Sequence, residues 1–67
     1  MGLVNPVQPG QVWRSPDKLQ QHFKVESLVN DIVLLRRCTP EGVLLEAGYR
    51  RFVPVETLRK PWVLVKR

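Results

Sequence analysis

Short apolar and β-branched runs, separated by turn residues, account for most of this 67-residue chain. Polar and apolar side chains alternate over the first four residues of Phe23–Leu28, so Phe23 and Val25 are predicted to face a core while Lys24 and Glu26 face solvent. No apolar repeat at helical spacing is long enough to compete. The pattern predicts an all-β domain with strands in the runs Gln11–Arg14, Phe23–Val29, Ile32–Arg37, Val43–Ala47, Tyr49–Val53 and Trp62–Lys66.

Turn residues between the runs indicate how the strands connect. Asn30 and Asp31 both tolerate positive φ and predict a tight hairpin between the second and third runs. In Thr39–Gly42, the proline sets φ at the second turn position and the glycine supplies any positive φ that is needed. Gly48 separates the fourth and fifth runs and predicts a bulge or a barrel corner within one bent strand.

The remaining signals predict a short helical turn, an edge strand and a central strand. Pro54–Leu58 opens with proline and is short, which predicts a single 3₁₀ turn. Pro61 lacks an N–H donor, so the final run is predicted to start as an edge strand. The continuous apolar run Ile32–Leu35 is typical of a central strand covered on both faces. We expect a small five-stranded barrel over residues 10–67, with the 3₁₀ turn before the last strand and an extended arm over residues 1–9.

Chain length and cysteine content limit the devices that could stabilise this fold. A chain of 67 residues forms one domain near the lower size limit for a self-sufficient core. Cys38 is the only cysteine and His22 the only histidine, so neither an internal disulfide nor a zinc site is expected. The first residues lack the features of a signal peptide, and no run has the length of a membrane span. These features predict a cytoplasmic protein that binds no metal and inserts in no membrane.

The charge lies in the second half of the chain. Residues 1–33 are neutral overall, whereas residues 34–67 carry the whole net charge of +5. A basic, arginine-rich surface attracts phosphate backbones and acidic proteins. Nucleic acid or an acidic protein is therefore the expected partner, while a charge that serves only solubility is the competing interpretation.

Arginine pairs and neighbouring aromatic residues form the predicted binding surface. Adjacent strand residues point to opposite faces, so Arg50 and Arg51 should separate, and so should Arg36 and Arg37. Arginines that meet across the sheet would repel unless an anionic partner lies between them, or unless a glutamate of this chain pairs with them. Glu41, Glu46 and Glu56 are the glutamates considered. The predicted contact residues are Arg37, Arg50, Arg51, Arg59, Lys60, Tyr49 and Trp62.

The aromatic residues divide into predicted surface and core positions. Trp62 and Tyr49 lie beside cations and could stack on a base, whereas Trp13 and Phe52 are predicted to pack in or at the rim of the core. His22 has no nucleophile or paired carboxylate at catalytic spacing. We therefore predict a non-enzymatic binding module without a cofactor, and self-association stays open.

Several short motifs resemble known families. The five-strand layout resembles the SH3-like barrel, and the frame resembles small prophage-encoded proteins of uncharacterised function, a resemblance that implies the fold more than any activity. The residues that carry this resemblance are Pro9, Gly10, Trp13, Arg14, Arg36, Arg37, Pro54, Leu58 and Trp62.

A weaker resemblance points to an enzyme. Thr39–Gly42 and the segment from Pro54 to Leu58 look like parts of the plasmid-borne type II dihydrofolate reductases, which are active as tetramers. Their active-site strand reads Val-Gln-Ile-Tyr before the Pro-Val pair, whereas this chain has Arg50–Val53 there. The residues that would contact folate and nicotinamide are absent, so an oligomeric reductase is the least favoured alternative.

Overall fold

The computed structural model describes residues 7–46 and 50–67. Its elements are β1 (Val12–Arg14), β2 (His22–Val29), β3 (Ile32–Cys38), β4 (Arg50–Pro54), α1 (Val55–Arg59) and β5 (Val63–Lys66). The strands form one antiparallel sheet in the order β4-β3-β2-β1-β5. The prediction of an all-β protein with five strands is confirmed, but the sheet is not closed, and β4 and β5 lie at its two edges.

Two of the predicted turns have the expected backbone. Asn30 and Asp31 have φ of 50° and 67°, so they form the two-residue hairpin turn between β2 and β3. Gly42 has φ of 96°, and its N–H donates to the Thr39 carbonyl at 2.9 Å. Pro61 is followed by an edge strand, as predicted. The residue types at these turns therefore predict the connections between the strands correctly.

The fourth predicted run is wrong as a strand. Of its described residues, 43–46, only Leu44 forms a ladder pair, an isolated bridge with Cys38. Val43 is instead tied to Thr39, because its N–H donates to Thr39 Oγ1 at 3.1 Å and its carbonyl accepts from the Thr39 N–H at 2.9 Å. The Leu45 N–H also donates to the Arg37 carbonyl at 3.1 Å, so the segment turns back along the end of β3 and pairs with it through this one bridge only. Gly48, the predicted bulge, lies outside the described residues.

The predicted 3₁₀ turn is a short α-helix, α1. Leu58 on this helix is fully buried, and the Val55 N–H donates to the Asp31 carbonyl at 2.8 Å. Glu56 in the first turn and Arg59 in the last turn carry charges that interact favourably with the helix dipole. A helix this short is not stable on its own, and here the burial of Leu58 and the hydrogen bond from Val55 to Asp31 stabilise it.

The core lies on one face of the sheet, here called the inner face. Alternation places Phe23 and Val25 of β2 there, as predicted, together with Trp13. The Trp13 indole N–H donates to Gln11 Oε1 at 3.2 Å, so its polar atom is satisfied within the core. The cluster comprises Val7, Trp13, Phe23, Val25, Val33, Leu35, Val53, Leu58 and Trp62. Val7, in the predicted arm, thus packs in the core of the sheet, and residues 1–6 lie outside the described part.

The opposite face, here called the outer face, is only partly covered. Along β3, Val33 and Leu35 are fully buried, whereas Ile32 is 40% exposed. The prediction that Ile32–Leu35 is covered on both faces is therefore wrong. In the described chain, the loop from Thr39 to Glu46 meets only one end of the outer face, so Ile32 lies open to solvent.

Candidate nucleic-acid interface

A loop covers the outer face near the ends of β1 and β5. Lys24 Nζ donates to the Gly42 carbonyl at 3.2 Å, and Lys66 Nζ donates to the Glu41 carbonyl at 3.2 Å. Val12 is buried beneath this loop, and a Cβ on Gly42 would lie 3.3 Å from Val12 Cγ2. These two lysines hold backbone carbonyls, so part of the positive charge of the protein has a structural role.

Across β2, β3 and β4 the outer face is uncovered and apolar. The ladder pairs Leu34 with Phe52 and Ile32 with both Val29 and Pro54, which places all five side chains on this face. Phe52 exposes 72% of its surface and Val29 exposes 61%. We call Val29, Ile32, Leu34, Phe52 and Pro54 the outer patch.

Two arginines and one glutamate border the outer patch. Arg36 of β3 and Arg50 of β4 are direct ladder partners on the outer face. Arg36 Nη1 lies 3.3 Å from Glu26 Oε2, and Arg50 Nε lies 3.4 Å from Glu26 Oε1. Glu26 thus uses its two carboxylate oxygens to hold both cations, and the group keeps a net charge of +1.

A strand irregularity supplies this glutamate. The β2–β3 register shifts between Val25 and Ser27, so Glu26 is the extra residue of a β-bulge. From the sequence, Glu41, Glu46, Glu56 or an external anion is expected to relieve the repulsion between paired arginines. The relieving carboxylate is Glu26, from a strand that was assigned to the neutral half of the chain. Pairing lowers the repulsion without removing the positive charge.

The neighbouring arginines point to the inner face. Arg51 pairs with Leu35 and Arg37 pairs with Phe23 in the ladder, which confirms that adjacent arginines separate to opposite faces. The Arg51 guanidinium carbon lies 5.6 Å from the Phe23 ring centroid and 5.2 Å from that of Trp62. This is cation–π geometry, so Arg51 acts partly as a core residue. Arg37 is half-buried, and its Nε finds no hydrogen-bond partner in the structure described.

The structure exchanges the expected roles of two aromatic residues. Trp62 is only 5% exposed and packs edge-to-face on Phe23, with 5.6 Å between ring centroids. Its predicted place on the surface is therefore wrong, because the ring packs in the core against Phe23 and the Arg51 guanidinium. Phe52, predicted at or near the core, is exposed instead. Tyr49, the other predicted stacking residue, lies outside the described residues.

Arg59 and Lys60 lie where α1 ends, and both are exposed as predicted. Arg59 also lines a surface cleft of about 460 Å³. The other lining residues are Asp31, Ile32, Pro54, Val55 and Glu56. Because Ile32 and Pro54 belong to the outer patch as well, the cleft continues the patch away from Arg50.

Cys38 and His22, for which no reactive role is predicted, lie beside each other in the ladder between β2 and β3. Cys38 is buried, and desolvation raises the pKa of its thiol, while the charges of Lys24 and Arg37 lower it to a smaller extent. A thiol that resists ionisation is a poor nucleophile. His22 is the ladder partner of Cys38, and over residues 7–46 and 50–67 no group of three metal-ligating side chains comes together.

Comparison with known proteins assigns this chain to no family. No family model matches the sequence, and neither a curated protein nor a solved structure matches it. No helix in the described ranges is both long and apolar enough to cross a membrane.

Sequence reasoning missed three members of this site, namely Glu26, Arg36 as a contact residue, and Phe52. For Phe52 a signal existed, because Phe52 and Val53 are neighbours in a strand and only one of them can face the core. For Glu26 the signal was the break in alternation at Glu26 and Ser27, but such a break does not tell a bulge from the end of a strand. The site therefore comes from a strand pairing that only the folded chain shows.

Proposed function

We propose that this protein is a non-enzymatic binding module that contacts nucleic acid through the outer face of its sheet. The observation that carries the proposal is one exposed aromatic ring, Phe52, on the same uncovered face as Arg36 and Arg50. Cations attract the phosphate backbone, and aromatic rings accept stacked bases. Arg59 and Lys60 extend the positive charge beyond the end of the patch.

An SH3-like barrel is the proposed architecture. Strands β1 to β4 follow one another in the sheet, a short helix precedes β5, and β5 then pairs with β1. This order supports the resemblance noted from the sequence motifs. Barrels of this size fill their interior with their own side chains, which favours surface binding over catalysis in an internal pocket.

Salt-dependent binding tests the function. A fluorescein-labelled single strand of about 20 nucleotides and the matching duplex are titrated with protein at about 25 mM and about 200 mM salt, with anisotropy as the readout. We expect binding at low salt that weakens steeply at higher salt, because phosphate contacts release counterions. No binding at low salt, or binding that salt leaves unchanged, would contradict the proposal.

A matched pair of variants locates the contact. Arg50→Gln should weaken binding and lower the slope of log affinity against log salt by about 1, because one phosphate contact is lost. Lys18→Gln removes the same charge from the exposed β1–β2 loop, outside the proposed surface, and should leave the slope unchanged. Equal losses in both variants would mean that net charge, and not this face, governs binding.

Association with a protein is the second candidate function. The outer patch is apolar and β4 is an edge strand, features that a second copy of the chain or an acidic protein could cover. Light scattering across a concentration series distinguishes these functions, since a stable dimer buried on the outer patch would hide Phe52 from nucleic acid.

A further inference from the structure

We propose that Phe52 is the stacking platform for one unpaired nucleobase, so that the outer patch selects single-stranded over double-stranded nucleic acid. The inference rests on the proposed function and specifies the class of nucleic acid that it binds.

The position of Phe52 distinguishes it from the other aromatic residues described. The rings of Trp13, Phe23 and Trp62 are buried in the core, whereas Phe52 exposes 72% of its surface on the outer face of the edge strand β4. Its direct neighbour across the ladder is Leu34, and Pro54 follows it on the same face. The ring therefore lies in an apolar surrounding with one side open to solvent.

The charge around the ring indicates an anionic ligand that is also aromatic. Arg50 lies two residues before Phe52 on the same face, about 7 Å away along the strand. Arg50 pairs with Glu26 through Nε at 3.4 Å, and 61% of its side chain stays exposed, so a ligand in solvent can reach the guanidinium. A phosphate at Arg50 would place the attached base within reach of the Phe52 ring. An acidic peptide could satisfy the arginine, but carboxylates would not use the ring.

Stacking on a sheet-borne ring requires an unpaired base. In a duplex, both faces of an internal base are covered by its neighbours, so a side chain on a sheet cannot reach them without unstacking the helix. In a single strand the base can turn out and lie on an aromatic ring. The geometry of Phe52 thus favours single strands, whereas the arginines alone would accept either form.

The continuation of the patch gives the ligand a path. From Arg50 to Pro54 the strand covers about 14 Å, and beyond it lies the cleft of about 460 Å³ that Arg59 lines. Cations at both ends and Phe52 between them suit a segment of a few nucleotides. Asp31 and Glu56 also line the cleft, and their carboxylates would repel a phosphate there but accept hydrogen bonds from a base.

The test compares Phe52→Leu with Leu19→Ala. Phe52→Leu keeps an apolar side chain but removes the ring, and Leu19→Ala truncates a comparably exposed residue, 74% against 72%, on the β1–β2 loop. Anisotropy titrations use fluorescein-labelled oligothymidylate of about 12 nucleotides and a duplex of equal length at low salt. We expect Phe52→Leu to weaken single-strand binding about tenfold or more while duplex binding and the Tm stay unchanged. Leu19→Ala should change neither.

A spectroscopic variant reports stacking directly. Phe52→Trp puts an exposed indole on the patch, in contrast to the buried Trp13 and Trp62, which supply the background emission. We expect affinity to be kept or raised, and the red-shifted part of the emission to be quenched by oligothymidylate. Affinity without quenching would show that the ring does not contact a base.

The outcomes separate this inference from the proposed function. Salt-dependent binding that Phe52→Leu leaves intact, or equal affinity for duplex and single strand, overturns the stacking role while the basic surface stands. Absence of binding by the unaltered protein at low salt overturns both. A dimer that Phe52→Leu converts to a monomer would assign the outer patch to self-association and overturn the inference.

Discussion

The inner and outer faces of the sheet use the same residue types in opposite ways. On the inner face, the Arg51 guanidinium lies over the rings of Phe23 and Trp62, so cation and aromatic side chain satisfy each other. On the outer face, Arg50 pairs with Glu26, and Phe52 stays exposed. Arg50, Arg51 and Phe52 are consecutive, so the difference arises only from the direction of each side chain. One face is closed by its own contacts, and the other keeps groups available for a ligand.

Environment explains why the two arginines differ. On the inner face water is largely excluded, so a cation needs a close partner, which the two rings supply. On the outer face solvent screens Arg50, and its ion pair with Glu26 contributes little to stability. Removing charge should therefore affect folding on the inner face and binding on the outer face.

Truncating one ring on each face should give the largest contrast. Trp13→Ala is expected to lower the free energy of unfolding by roughly 3–5 kcal/mol, because it empties a buried site in a small core. Phe52→Ala should change it by less than about 0.5 kcal/mol, since the ring is exposed. Chemical denaturation followed by circular dichroism measures both. A comparable loss in Phe52→Ala would show that the outer face is covered in solution.

At the covered end of the outer face, adding a single methyl group should also lower the free energy of unfolding. Gly42→Ala forces an L side chain into positive φ and pushes a methyl group toward Val12, so we expect a loss of about 1–2 kcal/mol or more. Gly10→Ala is the control, because Gly10 has a similar φ of 94° but nothing within 4 Å of the added Cβ. Thermal unfolding of both variants isolates the crowding at Val12. Equal losses would mean that the loop does not press on the sheet.

Neutralising each of the two adjacent arginines should lower the free energy of unfolding more on the inner face than on the outer face, by about 1 kcal/mol. Arg51→Gln loses the contacts with Phe23 and Trp62 and should lower unfolding free energy by about that amount. Arg50→Gln should stay within about 0.5 kcal/mol. Denaturation midpoints measure the difference. If both variants were equally stable, the cation–π contact would have no energetic weight.

The smallest effect on stability should accompany a gain in binding. Glu26→Gln removes the carboxylate that holds Arg36 and Arg50, so unfolding free energy should fall by no more than about 0.5–1 kcal/mol. Nucleic-acid affinity should rise, because both arginines then meet phosphate without competition. Glu41→Gln makes the same charge change at an exposed side chain whose carboxylate is not the one that holds Arg36 and Arg50. Equal gains in the two variants would attribute the effect to net charge alone.

Local patterns predicted the strands well where a turn or an alternation marks them. Asn30 and Asp31 placed the β2–β3 hairpin, and alternation placed Phe23 and Val25 in the core. Prediction failed where a segment had two outcomes of similar local energy. The residues after Gly42 have strand-forming side chains but curl into a loop, and Pro54–Leu58 could form either type of short helix until Leu58 packed in the core.

The sequence by itself determined the strand-rich class, the tight turns, the separation of adjacent arginines and the excess of positive charge, because each of these depends on residue type and near neighbours. Only the tertiary structure decided that Trp62 is buried while Phe52 is exposed, and that Glu26 holds Arg36 and Arg50. Those outcomes depend on which strand lies beside which and in what register. A single bulge in β2 changes which side chains meet, and the break in alternation at Glu26 and Ser27 does not say which side chains of the next strand they will face.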